Sequence, residues 1–67
     1  MYLDPASKDV IEAIRVAGYA VSLRYDNVTF VAAAKDDAGQ TWTVHGRDVY
    51  RVLCELAEKI GIDLGDA

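Results

Sequence analysis

The stretch "YAVSLRYDNVTFVAAAKDDAGQTWTV", Tyr19 to Val44, decides the fold. Tyr19, Val21, Leu23 and Tyr25 alternate with Ala20, Ser22 and Arg24, the period-two pattern of a half-buried strand. Asp26-Asn27 suits a two-residue turn, because both residue types tolerate positive φ. A second strand then runs from Val28 to about Asp36. This register pairs Tyr25 with Val28, Leu23 with Phe30, Val21 with Ala32 and Tyr19 with Ala34, all on one face. A one-residue slip would scatter that face. The next loop is read as three residues, Asp37-Ala38-Gly39, with Gly in the left-handed position such hairpins favour. Asp36 then pairs with Gln40, Ala34 with Trp42 and Ala32 with Val44. A four-residue loop would send Trp42 to the other face, so three residues keep the apolar face whole.

Helical patterns flank these strands. Asp4-Pro5 reads as an N-cap followed by a proline at the first helical position. Ala6, Val10, Ala13, Ile14 and Ala17 fall on one side of a helix over about 5–17, with Lys8, Glu12 and Arg15 opposite and Val16 facing out. Gly18 ends it. A second helix begins near Gly46 to Asp48 and ends near Ile60, with a stripe of Val49, Leu53, Leu56, Ala57 and Ile60 and with Tyr50 beside it. Gly61 follows as its stop. Ile62 and Leu64 are expected to pack back, and the tail 63–67 to fray.

The expected fold is therefore α+β, a two-layer α-β-β-β-α domain with a three-stranded antiparallel meander and both helices on one face. The other face would show Ala20, Ser22, Arg24, Thr29, Val31, Ala33, Lys35, Thr41, Thr43 and His45, mostly small or polar. With 67 residues the chain is read as a single domain, its ordered core spanning about 4–62.

Composition narrows the function. Hydrophobic residues make up 52% and charged residues 27%, the balance of a globular chain. The net charge is −4. Residues 1–35 carry four acids and four bases, whereas 36–67 carry seven acids against Arg47, Arg51 and Lys59. With no basic run, the chain is a poor candidate for phosphate backbones or anionic membranes. Cys54 is the only cysteine, which suits a reducing compartment better than a disulfide scaffold. The first residues show no charged-then-apolar leader, and no apolar run approaches a bilayer span. A cytoplasmic location is the expectation.

The chemistry-bearing residues gather in "TWTVHGRDVYRVL", Thr41 to Leu53. His45 is the only histidine and has no second ligand or base at useful spacing. Cys54 sits at the edge of the second stripe, with Glu55 and Glu58 opposing any help from Arg51 to a thiolate. His45, Gly46 and Arg47 precede a helix start, a place where free amides bind anions. Asp48 competes for the same amides, so self-capping is favoured over an anion. No catalytic, cofactor or metal site is assigned. Tyr19, Tyr25, Phe30 and Trp42 are all read as inward core residues, unlike the outward aromatics of an RNA-reading sheet.

The element order over residues 5–61 is similar to that of the double-stranded-RNA-binding domain and of small mRNA-interferase toxins. That resemblance implies RNA as the ligand. The RNA-binding domains carry a Lys-rich start to the last helix, where this chain reads Gly46-Arg47-Asp48-Val49-Tyr50-Arg51. The toxins carry a Gly-Ser-His-like motif opening the second strand, where this chain reads Asp26-Asn27-Val28-Thr29. The resemblance therefore reaches the order of elements and stops short of either set of functional residues.

The reading that follows is a small non-catalytic interaction or regulatory domain acting on a protein partner or on a second copy. Arg24, Val31, Lys35 and Thr43 form its candidate interaction surface, and Ile11, Val16, Val31 and Val52 lie at the margins of the expected faces. The alternative is a diverged nucleic-acid-binding domain acting through Arg24, Lys35, His45, Arg47 and Arg51.

Overall fold

The computed structural model describes residues 4–62. The expected fraying of the tail and packing of Leu64 fall outside them. The order is α1 (Pro5–Val16), β1 (Ala20–Asp26), β2 (Thr29–Lys35), β3 (Thr41–Gly46) and α2 (Val49–Lys59). The sheet is an antiparallel meander in the order β1-β2-β3. Extents of 30 × 30 × 17 Å leave room for one sheet and one layer of helices. Residues from both helices share one buried cluster with Ala32, Ala34 and Val44, so both helices cover the same face.

The second hairpin forms in the expected register. The Asp36 N–H donates to the Gln40 carbonyl at 3.0 Å, and the Asp36 side chain accepts from the Gln40 N–H at 2.9 Å. Gly39 takes φ +87°, a conformation with little penalty for glycine alone. Ala34 then faces Trp42, and Ala32 faces Val44.

The first hairpin corrects the sequence reading. Asp26 pairs with Thr29, so the loop is Asn27-Val28 rather than Asp26-Asn27. Asn27 alone takes the positive φ, 59°. Moving the loop by one residue moves the register by two. Tyr25 faces Phe30, Leu23 faces Ala32 and Val21 faces Ala34. A shift of two preserves the side-chain faces, which is why the apolar face survives the error. What changes is the position along the sheet. Tyr25 and Val28 now lie at its end and are 55% and 61% exposed, not buried.

Alanine at 32 and 34 makes the central strand thin on its inner side. Both are fully buried, and α2 lies over β2 and β3 while α1 lies over β1 and against α2. Tyr19 and Trp42 meet edge-on, ring centroids 5.6 Å apart.

The stripe of α1 is rotated by one residue from the expected one. Ser7, Val10 and Ile14 are buried, while Ala6 and Ala17 are exposed. A polar side chain took the core position because Asp4 satisfies it. The Asp4 carboxylate accepts a hydrogen bond from the Ser7 side chain and another from the Ser7 N–H at 3.0 Å. Those two bonds, in that order of size, hold the Asp4 carboxyl below its ordinary value of 3.8. A lowered folded-state value stabilises the fold above the ordinary aspartate range, and that contribution is lost as pH falls through the folded value. Asp4→Ala should therefore lower the melting temperature near neutral pH and flatten its fall between pH 4 and 2. Circular dichroism melts across that window check it.

In α2, Val52, Leu53, Leu56 and Ala57 are buried, with Val49 and Ile60 half-buried. Val52, placed at a margin by the sequence reading, is 1% exposed and belongs to the core. Spacings of three and four residues put it on the same stripe as Val49, Leu53 and Leu56. Both helices end alike. Tyr19 N–H reaches the Ile14 carbonyl and Gly18 N–H the Arg15 carbonyl; Ile62 N–H reaches Ala57 and Gly61 N–H reaches Glu58. These are the two crossed bonds of a Schellman ending.

Candidate functional site

The junction between β3 and α2 separates residues that adjoin in sequence. His45 is exposed on the uncovered face of the sheet, across from Val31. Gly46 is half-buried, and a Cβ built on it would lie 2.6 Å from the Val52 Cγ2 atom. Arg47 lies past the end of the sheet. It lines one hollow of about 370 Å³ with Tyr25, Val28 and Phe30. It lines another of about 310 Å³ with Asp4, Ser7, Phe30 and Tyr50. His45 lines neither. The candidate anion residues His45, Gly46 and Arg47 are therefore spread over an outward face, a packing contact and the helical end.

Asp48 holds the N-cap position of α2 in an extended conformation, yet its side chain makes no capping hydrogen bond. The self-capping expected from sequence is not made. Its backbone carbonyl accepts from Val52 N–H at 2.9 Å, opening the helix. Along α2, a groove of about 620 Å³ runs past Arg47, Asp48, Arg51, Cys54, Glu55 and Glu58. Two cations and three carboxylates along its length give it no single sign. Cys54 is a free, half-buried thiol in the helical layer, and the groove along α2 that it lines does not reach His45. Among the described residues, His, Cys, Asp and Glu form no group of three able to hold a metal ion.

The candidate interaction residues share the uncovered sheet face. Arg24 pairs with Val31, Lys35 with Ala20 and Thr41, and Thr43 with Ala33. Arg24, Lys35 and Thr43 are exposed, but Val31 is only 9% exposed. It sits on the central strand, between Arg24 on one side and His45 on the other, so longer neighbours screen it without a covering layer. A shallow hollow of about 290 Å³ beside it is lined by Ser22, Ala33, Lys35 and Thr41.

The sequence reading missed the cluster at the β1–β2 end. Tyr25 and Phe30 stack at 4.8 Å, tilted by 53°. Val28 and Arg47 complete the hollow beside them, and Tyr50, 43% exposed, borders the next. The available signal was position: apolar residues flanking a hairpin loop extend past the helices that would cover them.

No protein-family model, curated protein or solved structure matches the chain. Among the described residues no helix is long and apolar enough to cross a membrane.

Proposed function

We propose that the chain is a small non-catalytic interaction domain whose binding surface includes the β1–β2 end of the sheet. One observation carries this: Tyr25 and Val28, more than half exposed, adjoin Phe30 and Arg47 in a single hollow. Isolated exposed apolar residues are ordinary, whereas adjoining ones beside a polar rim mark contact surfaces. Aromatic residues and Arg are the types that interface centres favour. A regulatory role in the cytoplasm fits such a domain.

The charge layout supports protein over nucleic acid. Arg24, Lys35 and His45 belong to the sheet face, while Arg47 and Arg51 lie at the start of α2 among Asp48, Glu55 and Glu58. No continuous cationic track follows from that division, and phosphate contacts need one.

The test is a pair of titrations. Labelled duplex RNA at low salt should show no binding at tens of micromolar, because low salt magnifies any phosphate affinity. Binding that weakens steeply with added salt would replace this reading with the RNA one. In parallel, Tyr25→Ser and Val28→Asn should abolish association with a protein partner while leaving the far-ultraviolet spectrum unchanged.

A further inference from the structure

We infer that the partner is a second copy of this chain, joined along β1 by antiparallel pairing across a two-fold axis at Leu23. This rests on the interaction-domain reading but goes beyond its hollow, since of Tyr25, Val28, Phe30 and Arg47 only Tyr25 lies on β1.

β1 is an edge of the sheet. Its pairing with β2 runs unbroken through all seven residues, with no bulge and no proline. Half of its backbone donors and acceptors consequently face away from the sheet, a template for another strand. The opposite edge, β3, is better covered: α2 lies over it and Val44 is buried. β1 has no buried residue at all, although Val21, Leu23 and Tyr25 point toward the helical layer. Among the described residues, β1 is the strand whose inward side is least covered. Val16, on the helix that lies over β1, is 77% exposed.

The strand complements itself. In an antiparallel pair, residues directly opposite share a face. With the axis at Leu23, all seven residues find a partner. On the helical side Val21 meets the partner's Tyr25, and Leu23 meets the partner's Leu23. On the other side Ser22 meets the partner's Arg24, and Ala20 meets the partner's Asp26. Apolar meets apolar, and no like charges stand opposite. The two Arg24 side chains are diagonal neighbours, about 7–8 Å apart, with room to reach solvent. Moving the axis to Arg24 would set Arg24 against the partner's Arg24. Moving it to Ser22 or Tyr25 would shorten the ladder to five or three strand residues. The product is a six-stranded sheet with four helices on one face, and it covers the apolar edge that a single copy leaves open.

Ser22 supplies the test because it is exposed and points away from the core. Sedimentation equilibrium should give a concentration-dependent dimer for the wild-type chain. Ser22→Glu, placed against the partner's Arg24, should tighten the dimer, and Ser22→Lys should weaken it. Each change occurs twice by symmetry, so the shift in Kd should be about two- to thirtyfold in each direction. The signs discriminate between registers. An axis at Arg24 would oppose Ser22 to the partner's Asp26 and reverse both signs. Reversed signs, or a dimer that ignores Ser22 and falls apart in Thr43→Glu, would overturn the proposed pairing. A monomer at millimolar concentration would overturn the dimer itself while leaving the interaction-domain reading to the partner and RNA titrations.

Discussion

Ile14→Ala should remove much of the stability of the fold, while Val16→Ala two residues away should change almost nothing. A chain of this size is expected to be stable by only about 3–10 kcal/mol. Deleting a buried Ile side chain to Ala costs about 2–5 kcal/mol through lost transfer energy and the cavity left behind. Ile14 is fully buried and is the largest side chain α1 commits to the core, since its other buried residues are Val10 and Ser7. α2 commits four buried residues and can lose one with less consequence for its own attachment. The midpoint of thermal unfolding should fall by on the order of 10–40 °C. Val16 is 77% exposed, and its truncation should stay within about 0.5 kcal/mol of the wild type. Urea titrations of both variants settle the comparison. Amide exchange should also rise across Val10 to Val16 before it rises in α2, because α1 buries three side chains against four in α2. Equal costs at 14 and 16 would mean that α1 packs with a different face inward.

The sequence made the fold readable because its two periods are distinct. Period two over Tyr19 to Val44 defines a sheet with one apolar face, and the stripes around Val10 and Leu53 define helices that must cover it. The errors share a cause. Hydrophobic pattern fixes which face a residue takes, but not how far along the sheet it sits. The hairpin loop moved from Asp26-Asn27 to Asn27-Val28, and the inward residues that remain in the strands kept their face. Tyr25 and Val28 nevertheless passed from core to surface, and with them the candidate contact cluster. Ser7 was missed for another reason. Its hydroxyl reads as solvent-facing until the Asp4 carboxylate is placed beside it. The neighbourhood of His45 and Arg47 was legible as a junction whose residues point in different directions, with His45 at the outward end of the last strand. What the pattern did not show is that Asp48 holds the cap position of α2 without a side-chain hydrogen bond.

Gly46→Ala should destabilise the chain by about 1–3 kcal/mol, the usual cost of forcing an extra methyl group into a packed core. Backbone conformation gives no reason for glycine here, since the positive-φ glycines are Gly18, Gly39 and Gly61. Space gives the reason. The added Cβ would lie 2.6 Å from the Val52 Cγ2 atom, well inside contact distance. Val52 is 1% exposed, and a valine in a helix keeps essentially one rotamer, so it has no free direction in which to turn. The alternative reading of Gly46 is an anion site, where a bare backbone would let a ligand approach the first amides of α2. A double-mutant cycle separates the two. If close packing of α2 on β3 is the reason, Val52→Ala relieves the clash, and the methyl group introduced by Gly46→Ala refills part of the vacated space. The double variant should then be more stable than the sum of the single changes by about 0.5–3 kcal/mol. Strict additivity would mean that α2 does not pack against Gly46. A Gly46→Ala chain of unchanged stability that lost affinity for inorganic phosphate would return the junction to the anion reading. Coupling between positions 46 and 52, with no phosphate bound by the wild-type chain, would identify Gly46 as the point where the last strand lets the helix close over the core.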